Sequence, residues 1–203
     1  MSDLKASEKS PDTGVKKKPS ARRSATLRHT KRLTAAALLA ALSFLLGLLA
    51  KTIQGTGPLR LTLEGLPIVL SGIVLGPFYG TAVGVVADLA SCLMAGQTPL
   101  PLIAVGSALV GLVPGVLSRL MMRGERPLAA PPRFLALLLF DGAAHAVGSV
   151  LVKSIALSSW YGFNTLLLRL PIYCGIAVAE SYLLYLLLRS SAVRREIERQ
   201  VLR

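Results

Sequence analysis

After a polar first segment, the chain consists of long apolar runs separated by short breaks that contain polar residues, glycine or proline. This pattern predicts six helices, over residues 33–53, 62–75, 77–95, 101–122, 133–157 and 163–189. A helix needs about 20 apolar residues to cross the hydrocarbon core of a bilayer. The helix at 62–75 is short for this, and we expect it to be tilted, lengthened by the preceding loop or shielded by its neighbours. The predicted fold class is an all-α membrane protein with six transmembrane helices.

Glycine and proline interrupt the apolar stretch over residues 59–94. Gly76-Pro77 predicts a tight turn between the second and third helices. Glycines recur at every fourth position around this turn, and the spacing returns in the fourth helix. These glycines are Gly72, Gly76, Gly80, Gly84, Gly111 and Gly115. Small residues at this spacing let membrane helices approach closely, so close packing is their expected role.

Composition agrees with a membrane protein, because 53% of the 203 residues are hydrophobic and the mean hydropathy is +0.60. The net charge of +13 is unevenly distributed. Residues 1–32 carry ten Lys and Arg against three acids and lack aromatic side chains. We expect this segment to be a disordered cytoplasmic tail rather than an arm that binds nucleic acid.

The positions of the cations predict the orientation of the helices. With both termini in the cytoplasm, 19 of the 23 Lys and Arg fall on the cytoplasmic side of the membrane. Cytoplasmic segments of membrane proteins carry such an excess. Residues 33–189 then form the transmembrane domain, and 190–203 form a basic cytoplasmic extension. The predicted location is the plasma membrane of a bacterium, crossed several times.

The remaining four cations lie at the outer ends of the predicted helices, against this trend. They are Lys51, Arg60, Lys153 and Arg169. Each side chain is long enough to extend to the lipid headgroups, but four together favour a site for an anionic solute. Asp88, near the middle of the third helix, is expected either to pair with Lys153 or Arg169 or to accept hydrogen bonds from a ligand.

The fifth helix carries Asp141, His145, Ser149 and Lys153 at intervals of four residues, which places them on one polar stripe about 18 Å long. A proton relay is one interpretation. Hydrogen bonding to another helix along a buried face is favoured. Glu180 is expected toward the inner end of the sixth helix, in a structural or partner-facing role.

Two outer loops supply further candidate binding residues. Trp160 and Tyr161 suit a membrane interface and also present rings that can stack on a flat heterocycle. Asn164 ends the same loop, and Gln97 lies in the loop after the third helix.

No phosphate-binding loop, HExxH sequence or nucleophile elbow occurs in the chain, and its two cysteines lack the spacing of metal ligands. We therefore expect no enzymatic activity, no metal and no cofactor.

The first helix carries two overlapping pairs of small residues, Ala36 with Ala40 and Ala37 with Ala41. Such a stripe predicts close contact with another helix, either within this chain or in a separate membrane subunit.

The sequence LPIVLSGIVLGPFYG at 66–80, followed by Gly84-Val-Val-Ala-Asp88, resembles the S components of energy-coupling factor (ECF) vitamin transporters. The chain is most similar to their folate-type branch, over about residues 33–189. The resemblance implies six helices with both termini inside and a pocket near the outer face. It implies a transmembrane T component and two ATP-binding subunits as partners. It also assigns the alanine face of the first helix to the T component, and here Ala37/Ala41 is favoured over Ala36/Ala40.

A folate is the expected vitamin. Its pterin ring carries donors that suit Asp88, and Trp160 or Tyr161 could stack on a ring. Its glutamate carries two carboxylates for the four outer cations. Riboflavin, pantothenate, thiamine or a pyrimidine precursor are alternatives, although an acidic ligand suits the cations better than thiamine. A stand-alone proton-coupled transporter that uses Asp141, His145 and Lys153 is a second class. An intramembrane enzyme built on Asp141 and His145 is the least favoured.

Overall fold

The computed structural model describes residues 21–54, 63–121, 133–162 and 164–199, and all regular structure in these ranges is helical. The elements in chain order are α1 (Ala21–Gln54), α2 (Gly65–Leu75), α3 (Pro77–Met94), α4 (Pro101–Met121), α5 (Phe134–Ala144), a π-helical segment (His145–Val152), α6 (Lys153–Tyr161), α7 (Asn164–Arg189) and α8 (Ser191–Ile197). The elements α5, the π segment and α6 follow one another without a break. Each of the six predicted helices therefore has a counterpart.

Five stretches of the described residues are long and apolar enough to cross a membrane, judged by length and composition. They lie in α1, α3, α4, the continuous helix from Phe134 to Ser158, and α7. The eleven residues of α2 are apolar but shorter, as predicted. All of α2 except Leu66 is buried, so its neighbours shield it, which was one of the three expected solutions.

The helix ends differ from the prediction in places. The first helix begins at Ala21 instead of residue 33, because alanine, arginine and leucine favour a helix even where no apolar face exists. The fifth helix continues to Tyr161 instead of 157. Hydrophobic periodicity did not predict the π-helical segment, because it does not separate a short π segment from the α-helix around it.

Glycines bring α2, α3 and α4 into backbone contact. A Cβ added at Gly80 would lie 2.5 Å from the carbonyl oxygen of Gly111, and one at Gly115 would lie 2.6 Å from Cα of Pro77. Gly76 has φ of 103°, in the left-handed region, and makes the turn after which Pro77 begins α3. The predicted turn and the predicted packing role of the glycines are both confirmed.

The chain direction alternates from helix to helix, so one end of the bundle gathers the last turns of α1, α3 and α6 with the first turns of α2, α4 and α7. Contacts across this end support the arrangement. Lys51 near the end of α1 reaches Cys92 near the end of α3, and a Cβ on Gly106 in α4 would touch Lys153. We call this the Lys51 end of the bundle.

Candidate substrate-binding site

Lys51 and Asp88 form an ion pair between α1 and α3. Their side chains are buried, and Lys51 Nζ lies 3.5 Å from Asp88 Oδ1. The same ammonium donates to Ser91 Oγ and lies 3.2 Å from Cys92 Sγ. The expectation that Asp88 pairs with Lys153 or Arg169 is therefore wrong. Lys51 is closer because the parallel helices α1 and α3 bring these two residues to the same height.

Lys153 lies beside a small cavity at the Lys51 end. Its Nζ is 4.0 Å from Oε1 of Glu64, which precedes α2. The cavity is lined by Glu64, Gly65, Ile68, Ser107, Val110, His145, Ser149, Lys153 and Tyr173. Between these residues it has room for about one water molecule. Lys153 is also within electrostatic range of Asp88 and Arg169.

Arg169 is buried near the start of α7, with 3% of its surface exposed. Its Nη2 donates to the hydroxyl of Tyr173 over 3.1 Å, and its guanidinium carbon lies 5.1 Å from the centroid of the Tyr173 ring. Within the described part of the chain, Nε and Nη1 of Arg169 have no acceptor. A buried guanidinium with unsatisfied donors is costly, and a carboxylate would supply the missing acceptors.

A carboxylate–histidine cluster lies deeper, where α7 packs against α5 and the π segment. We define it as Asp141, His145 and Glu180. His145 Nε2 is 2.8 Å from Glu180 Oε2 and 3.6 Å from Asp141 Oδ1.

Two serine hydroxyls complete the hydrogen bonds around this cluster. Ser149 Oγ lies 3.1 Å from His145 Nδ1, and Ser181 Oγ donates to Asp141 Oδ2 over 3.0 Å. The favoured expectation, hydrogen bonding between helices along a buried face, is confirmed.

The other predicted binding residues lie at the same end of the bundle, or their side chains lie outside the described residues. Gln97 is half-buried in the turn after α3, and Asn164 is exposed at the first position of α7. Trp160 and Tyr161 form the last turn of α6, but their side chains lie outside the described residues, as does all of Arg60.

Sequence reasoning missed Glu64 and Tyr173, which both line the cavity. The signal for Tyr173 was present, because it follows Arg169 by four residues and so lies on the same helix face. For Glu64 the sequence offered one signal only, an acidic residue directly before an apolar helix. The connection between the cavity and the carboxylate–histidine cluster through His145 was missed too, because it depends on how α7 packs against the π segment.

The two alanine pairs of α1 face opposite ways. Ala36 and Ala40 are buried in the hydrophobic core, whereas Ala37 and Ala41 are exposed. Only the second pair is therefore available to another subunit.

Comparison with protein families assigns most of the chain. The model of the ECF transporter substrate-specific component matches residues 31–193, which run from the eleventh residue of α1 into α8. No curated protein and no solved structure gives a match. Members of the matched family are transporter subunits that bind a substrate and do not catalyse a reaction. On this match and its several apolar helices, the chain belongs to the substrate-specific components of ECF transporters, a family of multi-pass membrane proteins.

Proposed function

We propose that this chain binds an acidic vitamin, a folate, at the Lys51 end of the bundle and presents it to an ECF module for import. The observation that carries the proposal is Arg169, whose Nε and Nη1 are buried without an acceptor in the described part of the chain. A carboxylate of the ligand would accept from this guanidinium and neutralise it. This assigns Arg169 as the anchor for the glutamate of a folate.

Lys153 supplies a second positive charge for the same ligand. It lies beside the cavity and within electrostatic range of Arg169, with Glu64 4.0 Å away. A dianionic glutamate suits two neighbouring cations, whereas the cation thiamine would be repelled by both. Lys51 is engaged with Asp88, so we propose that this pair supports the site structurally.

Glu64 is the proposed partner of the pterin ring. Glu64 lines the cavity, whereas Asp88 is engaged with Lys51. We therefore propose Glu64, instead of Asp88, as the carboxylate that accepts hydrogen bonds from the pterin donors. Gln97 and Asn164, with Arg60, Trp160 and Tyr161, remain proposed contacts around the mouth of the site.

The ligand does not fit the cavity as it stands, since that space holds about one water molecule. Binding a folate therefore requires the helices around this cavity to move apart. Such a movement would expose Arg169, Lys153 and Glu64 together.

Binding can be tested by calorimetry on the purified full chain in detergent. We expect submicromolar affinity for folate, and Arg169→Ala weakens it by about 10- to 100-fold, as loss of charged hydrogen bonds of about 1.5–3 kcal/mol implies. Arg189→Ala, at the exposed far end of the same helix, is the matched control and leaves the affinity unchanged. Tight binding of riboflavin, pantothenate, thiamine or a pyrimidine precursor, with none of folate, would show that the vitamin is wrong.

The remaining features of the proposal follow from family membership and charge. We propose six spans with both termini in the cytoplasm of a bacterium, and a T component with two ATP-binding subunits as partners. The exposed pair Ala37/Ala41 is the proposed contact with the T component. Substrate uptake by vesicles that contain this chain alone would contradict the proposal and support a proton-coupled transporter.

A further inference from the structure

The carboxylate–histidine cluster places two buried carboxyl groups beside one imidazole. Asp141 and Glu180 are fully buried, and His145 is 5% exposed. Among the described residues, no lysine or arginine nitrogen lies within 4.0 Å of either carboxylate. Arg169 is eleven residues from Glu180 along α7, or about 16 Å, so it does not neutralise the cluster. Buried carboxylates without a counter-charge are strongly unfavourable inside a membrane.

One oxygen of each carboxylate is left without a hydrogen bond. Within the described part of the chain, these atoms are Asp141 Oδ1 and Glu180 Oε1, and neither is exposed to solvent. The ligand atoms offered by Asp141, His145 and Glu180 all lie within 4.8 Å of one another. The unsatisfied Asp141 Oδ1 faces Nε2 of His145, and the Glu180 oxygen beside that nitrogen is Oε2.

The distances in the cluster are close to those between ligands that share one metal ion, without equalling them. Ions such as Zn²⁺ bind nitrogen and oxygen at about 2.0–2.2 Å, which places neighbouring ligands about 3.0–3.4 Å apart. His145 Nε2 is 2.8 Å from Glu180 Oε2 and 3.6 Å from Asp141 Oδ1, on either side of that range. A small shift of either carboxylate would bring all three atoms to a common ion.

The surroundings orient these side chains as outer-shell residues orient metal ligands. Ser149 holds Nδ1 of His145, which leaves Nε2 facing the two acids. Ser181 holds Oδ2 of Asp141, which leaves Oδ1 facing the imidazole. Ligating histidines and carboxylates are held by such second contacts in metal sites.

The backbone also makes room for the cluster. A Cβ at Gly65 would lie 2.6 Å from Glu180 Oε2, so only glycine fits there without displacing the carboxylate. His145 begins the π-helical segment, a distortion that frequently occurs at functional sites. His145 also lines the cavity, which has room for about one water molecule beside the imidazole.

We infer that Asp141, His145 and Glu180 bind one divalent transition-metal ion, of the Zn²⁺, Mn²⁺ or Co²⁺ type, in the middle of the bundle. Two carboxylates and a neutral imidazole balance a charge of two and suit these ions better than Ca²⁺ or Mg²⁺, which prefer oxygen ligands alone. The ion joins α5 and the π segment to α7 directly beneath the proposed substrate site. Its binding does not depend on which vitamin the chain takes.

The test uses the full chain in detergent, stripped with EDTA and kept free of any vitamin. Calorimetric titration with Zn²⁺, Mn²⁺ and Co²⁺ is expected to give one tight site per chain for at least one ion. Ser181→Ala removes a residue that orients a ligand, and it is expected to lower the affinity for the ion about 10- to 100-fold. Glu180→Gln and His145→Gln remove ligands, and they are expected to lower it by more than this. His29→Gln changes the chain's other histidine and is the matched control, with no effect expected.

A site that holds only protons is the competing outcome. It would give no stoichiometric ion, or ion binding that Glu180→Gln and His145→Gln leave unchanged, and either result overturns the inference. Thermal unfolding in EDTA checks that the variants fold. If they do not, pulsed EPR of Mn²⁺ bound to the wild-type chain decides, because coupling to an imidazole nitrogen is expected and its absence contradicts the site. Folate calorimetry on the EDTA-stripped chain keeps a failure of this inference separate from a failure of the proposed vitamin.

Discussion

In the ion pair between Lys51 and Asp88, the buried ammonium of Lys51 stabilises the buried carboxylate of Asp88. Replacing Lys51 with Met leaves the Asp88 carboxylate buried without its counter-charge, which costs about 3–5 kcal/mol. We expect Lys51→Met to lower the melting temperature in detergent by about 10 °C. The double variant Lys51→Met/Asp88→Asn should recover most of this loss, because it removes both charges.

The matched control is Lys31→Met, which replaces an exposed lysine on the same helix and should not change the melting temperature. Folate binding separates the two roles of Lys51. If the double variant is stable but no longer binds folate, then Lys51 contacts the ligand and our assignment of a structural role is wrong.

At the scale of single residues, the sequence predicted the candidate charged residues better than it predicted the contacts between them. The sequence predicted that Asp88 lies within a helix and that cations gather at one end of the bundle. The partner of Asp88 was not: Lys153 and Arg169 were expected, and Lys51 was identified only when the helices were placed side by side. The orientation of α1 was equally hidden, because alanine pairs one residue apart have the same composition but opposite burial.

The contact between α3 and α4 yields a prediction at the scale of whole elements. Because a Cβ on Gly111 would run into the backbone of Gly80 and Thr81, the two helices would have to separate. We expect Gly111→Ala to lower the free energy of unfolding by about 2–3 kcal/mol, within the range for overpacking a tight core. Thermal unfolding in detergent measures this as a melting temperature about 5–10 °C lower.

Gly142→Ala and Gly175→Ala serve as controls because a Cβ at either position meets nothing within 4 Å among the described residues. Alanine favours a helix by up to about 1 kcal/mol over glycine, so these variants should be neutral or slightly more stable. Equal losses in all three variants would contradict a role for close packing at Gly111.

The elements themselves were the most predictable level of this structure. Apolar length and the Gly76-Pro77 break were sufficient for the order of the helices and for most of their ends. The π-helical segment was not. Within it, Gly148 approaches Gly106 closely and His145 bonds to Glu180. These contacts join residues far apart in sequence, and local periodicity carries no information about them.

At the scale of the whole molecule, the outward face of α1 is the surface that we propose joins the chain to a transporter. Ala37 and Ala41 are exposed beside exposed leucines of the same helix, so a partner helix could approach the backbone closely there. We expect Ala37→Leu/Ala41→Leu to reduce copurification with a coexpressed ECF module about tenfold, which corresponds to about 1.4 kcal/mol of contact. Quantitative mass spectrometry of the purified complex measures the ratio of subunits.

Two comparisons show whether this loss is specific to the face. Ala179→Leu changes an exposed alanine on α7 and should leave the subunit ratio unchanged. Folate affinity of the α1 variant should stay within about twofold of the unmodified chain, because Ala37 and Ala41 point away from the core that holds Lys51, Lys153 and Arg169. If copurification persists while folate affinity falls, the exposed alanines affect the fold of the bundle and the T component must approach from another helix.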